Sequence, residues 1–297
     1  MRLRPLPRDH WQREVERLDP ETQYEQIMRI VAKREFPWDF QQALSFALFR
    51  TYAVPTIGRL LAATDQFEGH TQKRHDDTVL VLDTVLSEGM ESRPGRSAVR
   101  RMNQMHGSYD ISNEDMLYVL CAFVVMPVRW VEQHGYRPLS EREVLADVRY
   151  YQRLGRLMNI TGMPEDYAGF ERLLDQIEAR RFAYDPGGRA VADSTLGLFV
   201  EFYPRPVRPF MGLFSKALMD DHLLRAFGYS VPPRWVREAA HRSLELRGRL
   251  LSRLPSRRKE FDVAASRRIR SYPGGFLVER LGTFPETMPE LAEDQPA

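Results

Sequence analysis

Arg74-His75-Asp76-Asp77-Thr78-Val79-Leu80-Val81-Leu82 and, further on, Arg100-Arg101-Met102-Asn103-Gln104-Met105-His106 are the stretches from which the fold is read. The first lies in a helical segment from about Thr71 to Glu88, broken at Gly89 and again at Pro94-Gly95. A partner helix starts near Ser97 and runs through His106. Counted outward from a turn near residues 91–93, Thr78 lies about 14 residues back and His106 about 14 forward, giving two arms of about 20 Å. Thr78 and His106 are therefore expected at matching heights on facing helices. Arg74 and Thr78 are four apart and share a face, with Asp77 adjacent on that side.

The remaining segments follow the same pattern. Asp19-Pro20 is expected to open a helix with Pro at its first position and Glu21 at the positive end of the dipole. A second begins near Pro37-Trp38 and is kinked or ended by Pro55, after which Ile57, Leu60 and Leu61 resume the helical spacing. Ser112-Asn113-Glu114-Asp115 resembles a capping box and opens a long helix to about Gly135, which Pro127 should bend. Ser140-Glu141-Arg142-Glu143 is a full capping box. Later helices are expected near 164–182, 190–203, 208–227 and 233–254, with Gly228 capping the third of these and Pro232-Pro233 opening the fourth. No run alternates cleanly enough for a strand, and no repeat of 20 to 50 residues is present. The class is all-α. Residues 1–282 are expected as one helical domain, followed by a disordered Pro-containing acidic tail from Thr283 to Ala297.

Composition narrows the function classes. With 297 residues and a net charge of +2, the chain has no strong global field to favour nucleic acid or an anionic membrane. Only four of its 43 basic residues are Lys (Lys33, Lys73, Lys216, Lys259). The Arg excess fits a genomic base-composition bias, and Arg also offers forked donors suited to carboxylates, including haem propionates. Cys121, the one cysteine, sits in an apolar run. It excludes an intramolecular disulfide and fits a reducing, cytoplasmic compartment. Residues 1–18 are dense in charge and lack a signal-peptide core, and the longest apolar stretch, Met116 to Val128, is too short for a transmembrane anchor.

An imidazole on one wall faces a hydroxyl, a guanidinium and a carboxylate on the other. A flat cofactor held between them would have an axial ligand on one side and polar groups on the other, as haem oxygen chemistry requires. The residues alone leave other readings open. His106 beside Met102 and Met105 also reads as packed core or surface. Asp76-Asp77 reads as a solvated helix face or a cap, and Arg74 as an i, i+3 partner of Asp77.

Several strings together carry a resemblance. They are Phe36-Pro37-Trp38-Asp39, Leu48-Phe49-Arg50-Thr51-Tyr52-Ala53-Val54-Pro55-Thr56-Ile57, Lys73-Arg74-His75-Asp76-Asp77-Thr78, and Arg101-Met102-Asn103-Gln104-Met105-His106 followed by residues 109–118. Met219-Asp220, Arg225-Ala226-Phe227-Gly228-Tyr229 and Pro232-Pro233 extend it, so that it covers roughly residues 25 to 255 in order. The chain resembles the rubber (latex-clearing) oxygenase family, in its MpaB-like branch. The resemblance implies a globin-like helical core enclosing haem b, with His106 as the axial ligand of the iron. It lays Arg74 and Thr78 on the Arg and Thr of the distal Arg-x-x-Lys-Thr string of the rubber oxygenases and puts Asp77 where their Lys stands. Asn103 and Asp110 occupy offsets at which they carry Arg. These departures favour the MpaB side over polyisoprene as substrate.

The implied activity is O2-dependent oxidative cleavage of a C=C bond in an isoprenoid or other hydrophobic small molecule. An electron donor is possible and not identifiable from sequence. Arg74 and Thr78 are expected to hydrogen-bond oxygen or stabilise developing charge, and Asp77 to orient Arg74 or handle a proton. Met102 and Met105, with Val81 and Leu82, line the haem or the substrate tunnel on this reading; core packing explains them as well. His75 is expected to point elsewhere. A non-catalytic haem carrier or sensor using the same His106 is the alternative. A di-iron bundle is a further one, but Glu238 and His241 make a single Glu-x-x-His where two are needed.

Overall fold

The computed structural model describes residues 4–64 and 70–282. The described residues form α-helices, a π-helical segment over Val31–Glu35 and irregular connections, the longest following the last α-helix over 252–282, and among them the β-structure is one isolated bridge, Leu6 to Ser256. The fold is all-α. In chain order the α-helices are α1 (His10–Val15), α2 (Tyr24–Ile30), α3 (Pro37–Thr51), α4 (Pro55–Ala63), α5 (Thr71–Glu88), α6 (Arg93–Gly107) and α7 (Asn113–His134). They continue with α8 (Glu141–Leu157), α9 (Tyr167–Arg181), α10 (Pro186–Glu201), α11 (Arg208–Ala217), α12 (Asp221–Ala226) and α13 (Arg234–Leu251). The expected tail from Thr283 lies outside the described residues.

Local signals place most boundaries. Pro37 and Pro55 stand in the first turns of α3 and α4, where a missing N–H costs nothing. Ser112 and Ser140 cap α7 and α8 through the backbone N–H of Asp115 and Glu143, and at Ser140 the Glu143 carboxylate accepts in return from the Ser140 N–H at 2.7 Å. Three boundaries differ from expectation. Asp19-Pro20 makes a hydrogen-bonded turn, and α2 begins only at Tyr24. The short α1 precedes it. Pro94-Gly95 is no break: Ser92 caps α6 by accepting from Gly95 N–H at 2.9 Å, which puts Pro94 in the first turn. The stretch near 208–227 divides at Asp220, whose carboxylate caps α12. As expected, the long α7 runs to His134 with Pro127 inside it.

Helices α3 and α7 pack along each other at the centre, α9 and α8 flank α7, and α10 crosses α4. Asp39 on α3 accepts from Trp130 Nε1 of α7 at 3.3 Å and from Arg247 of α13 at 2.9 Å. Arg50 forms ion pairs with Glu178 on α9 and Asp220 at the start of α12. The α4–α10 crossing is glycine on glycine, since a Cβ on Gly58 would stand 2.6 Å from the Gly188 Cα. The conformation after α5 also needs glycine: Gly89 has φ +82°. It turns the chain into the α5–α6 hairpin that carries the site.

Candidate active site

Helices α5 and α6 pack side by side, as the two-arm reading expects. Met90 N–H donates to Glu25 Oε2 at 3.1 Å and the Ser92 hydroxyl donates to the Gly89 carbonyl at 2.9 Å, so the turn between them is pinned from both sides. On α6, His106 Nδ1 lies 2.8 Å from the Met102 carbonyl oxygen. A carbonyl only accepts, so Nδ1 carries the proton and Nε2 keeps its lone pair. Burial pushes the imidazole pKa down; the Met102 bond opposes this, and the charge of Arg74 adds to it. His106 is therefore neutral at physiological pH, its tautomer set by its own helix.

Arg74 on α5 lies close enough for its charge to act on this ring. Burial lowers its pKa, opposed by Tyr52, Tyr109 and Asp77 in that order. It remains a cation, because a guanidinium does not deprotonate in proteins. Tyr52, just past the end of α3, is buried beside Thr195 of α10, and burial raises its pKa against the pull of Arg74. Tyr52, Tyr109 and Thr195 are the neighbours that sequence reading left without a role. Tyr52 and Tyr109 stood inside the resembling strings; no local signal pointed to Thr195, far along the chain. The Thr78 hydroxyl donates to the Arg74 carbonyl at 2.9 Å, leaving its lone pairs as acceptors.

The aspartates look the other way. Asp76 is fully buried and accepts from the backbone N–H groups of Arg270 and Ser271, each at 2.9 Å, and from Gln72 at 2.8 Å. Burial raises its pKa, but these bonds and that from His75 outweigh it and bring it to about 2. Asp77 pairs with Lys73 at 2.7 Å and accepts from the Tyr272 hydroxyl. Neither is a solvated face or a cap. Together they clamp a C-terminal strap, residues 262–282, along α5. Met105 packs against Gly282 of this strap, and Met102 is buried in the core. His75 turns away from His106, as expected: its Nδ1 bonds Asp76 at 3.1 Å and its ring stands 5.3 Å from that of Phe202. Asn103 donates to the Leu157 carbonyl at 2.8 Å, tying α6 to α8, and Asp110 is exposed.

A neutral, tautomer-fixed imidazole with one lone pair, near a half-buried cation, suits a single axial bond to porphyrin iron. It does not suit a bare ion: among the described residues no three His, Cys, Asp or Glu side chains are grouped to hold a metal. Glu238 instead pairs with Arg234 at 3.2 Å and His241 stacks on His134, so the di-iron reading finds no ligand set there.

Residues 38–251 match the family described as "ER-bound oxygenase mpaB/B'/Rubber oxygenase, catalytic domain". The chain is 32% identical over 228 residues to ER-bound oxygenase mpaB' of Penicillium brevicompactum, covering 70% of this chain and 54% of that protein. It is 31% identical over 222 residues to ER-bound oxygenase mpaB of Penicillium roqueforti (strain FM164), covering 69% and 74%. A third relative, mpaB of Penicillium brevicompactum, is 31% identical over 227 residues, with 70% and 57% covered. The chain thus spans little more than half the length of two of these relatives. Among the described residues no helix is long and apolar enough to cross a membrane.

Proposed function

Because this chain belongs to the mpaB/rubber oxygenase catalytic-domain family, we propose that it is a haem b-dependent oxygenase that uses O2 to cleave a C=C bond in an isoprenoid or other hydrophobic substrate. His106 is the axial ligand on this reading. The observation that carries it is the Nδ1–H bond to the Met102 carbonyl, which leaves Nε2 as the ring's donor atom and makes it a better base. When bound, haem supplies the redox chemistry that activates O2.

The chain's own residues then divide the work. Arg74 is the half-buried cation whose charge acts on the imidazole, and it stabilises negative charge developing on oxygen. Tyr52 and Tyr109 are the groups that favour the Arg74 charge most. Thr78 serves as an acceptor, its proton being given to the helix. Asp77 is a positioning residue that ties α5 to the strap through Lys73 and Tyr272 rather than a proton carrier. Met102 supplies the carbonyl that fixes the ligand, and Met105 braces α6 against the strap. Cys121, a single cysteine and buried, fits a reducing, cytoplasmic location.

The test is spectroscopic first. Protein expressed with ample haem should show a Soret band that His106→Ala loses. Incubation of the wild-type protein with O2 and a panel of unsaturated isoprenoids should then give carbonyl products. Colourless wild-type protein would end the haem reading, and haem without product on a broad alkene panel would favour a carrier or sensor.

A further inference from the structure

Among the described residues, nothing covers the outer face of α13. Ala240, Leu244 and Gly248 face the core. Positions 235, 239, 242, 246, 249, 250 and 253 form one stripe at helical spacing, and every one is exposed. In that stripe Trp235 is 72% exposed, Leu246 56% and Leu250 55%. Arg242, Arg249 and Arg253 lie between them. Helix α11 packs against α13 and adds Phe210, 71% exposed, and Leu213. Large apolar side chains left this bare in one place mark an interaction surface rather than ordinary surface scatter.

Charge identifies the partner. Residues 205–258 hold twelve Lys and Arg against four Asp and Glu, a surplus of eight in a chain whose net charge is +2. The positive charge is thus gathered on the elements that expose the apolar side chains, and the rest of the chain is net negative. Glu238 and Glu245 pair with Arg neighbours on the helix but are outnumbered there. Beside the stripe lies a groove of about 550 Å³ lined by Arg234, Arg237, His241 and Arg242 together with Val231 and Pro232 and the two glutamates. Tryptophan and leucine flanked by arginines on the exposed side of a helix fit a headgroup layer over acyl chains, where the indole sits at the boundary and the guanidinium groups meet phosphate. A protein partner would meet the same residues as a surplus of positive charge around its apolar contact.

We propose that the outer face of α13, with α11 beside it, docks the chain on an anionic phospholipid bilayer. The contact is peripheral and needs no spanning helix. It stands on exposure and charge alone and does not depend on the oxygenase reading.

Co-sedimentation of the full chain with phosphatidylcholine vesicles, with and without phosphatidylserine, tests it. Binding is expected to the phosphatidylserine vesicles and to weaken as salt rises. Trp235→Ala/Leu246→Ala should lower the partition coefficient about tenfold or more. Arg242→Gln/Arg249→Gln should lower it by a similar factor and flatten its salt dependence. Leu277→Ala, which removes an equally bare side chain from the C-terminal strap, should leave it unchanged. All the substituted positions are exposed, so far-UV circular dichroism should match wild type. Absence of binding to both vesicle types would overturn the proposal, as would equal binding by wild type and both double variants. A concentration-dependent dimer that Trp235→Ala/Leu246→Ala makes monomeric, without vesicle binding, would assign the face to a second copy and overturn it too.

Discussion

His106 and Asp76 show how one residue's environment sets its chemistry. The imidazole is neutral because partial burial and the charge of Arg74 disfavour its protonated form, and its proton sits on Nδ1 because Met102 offers an acceptor one turn back. Ligation and turnover should therefore separate by mutation. On the proposed function, Arg74→Gln keeps the Soret band that His106→Ala loses, while product formation falls about a hundredfold, the usual loss for one charge-stabilising donor. Asp76 is the acid-sensitive residue. Its pKa falls from 3.8 to about 2, so its contribution to stability is fully present above the unfolded value and is lost as pH drops through the folded one. The shift corresponds to about 2 kcal/mol. Asp76→Asn should remove that part of the stability loss between about pH 5 and about pH 2, as read by urea unfolding at each pH. An unchanged acid limb would mean that the bonds from Arg270 and Ser271 do not hold the carboxylate in its charged form.

At the level of elements, the α4–α10 crossing and the α5–α6 hairpin decide where the site forms. A methyl on Gly58 would press on the Gly188 Cα at 2.6 Å and on the Tyr52 carbonyl at 2.7 Å, both backbone atoms that cannot swing aside. Gly58→Ala is expected to cost about 2–3 kcal/mol. Gly197, on the same α10, has nothing within 4 Å of the point where a Cβ would stand, so Gly197→Ala should stabilise the helix by about 0.5–1 kcal/mol. Chemical denaturation of both variants checks the pair, and equal effects would show that the crossing is not the tight point. The displaced Tyr52 carbonyl also makes Gly58→Ala a remote probe of the Arg74 surroundings.

The whole molecule is closed by long-range tethers. The strap returns along α5 through Asp76 and Asp77, Arg101 holds the Leu281 carbonyl, and Arg29 and Arg34 share Glu260. Cys121 lies in the central α7 with no exposure, and burial raises its thiol pKa to about 12. Its reaction with a disulfide reagent should therefore be negligible in the native state and should follow the global unfolding curve across a urea series. Rapid labelling without denaturant would show that α7 opens independently of the rest.

Helix class, most proline and serine boundaries and the family were legible in the residues, because caps, breakers and helical spacing act within one or two turns of the chain. So was the pairing of α5 with α6, since a short turn leaves two helices little choice but to pack together. The sites of Asp76 and Asp77 were not legible: two adjacent acids look like solvated surface until a segment almost 200 residues away supplies their donors. For the same reason Thr195 gave no sign that it would stand beside Tyr52, and the stretch near 208–227 read as one helix until Asp220 capped a new one and paired with Arg50. Contacts across such distances depend on how whole helices pack, and that is decided by the tertiary structure alone.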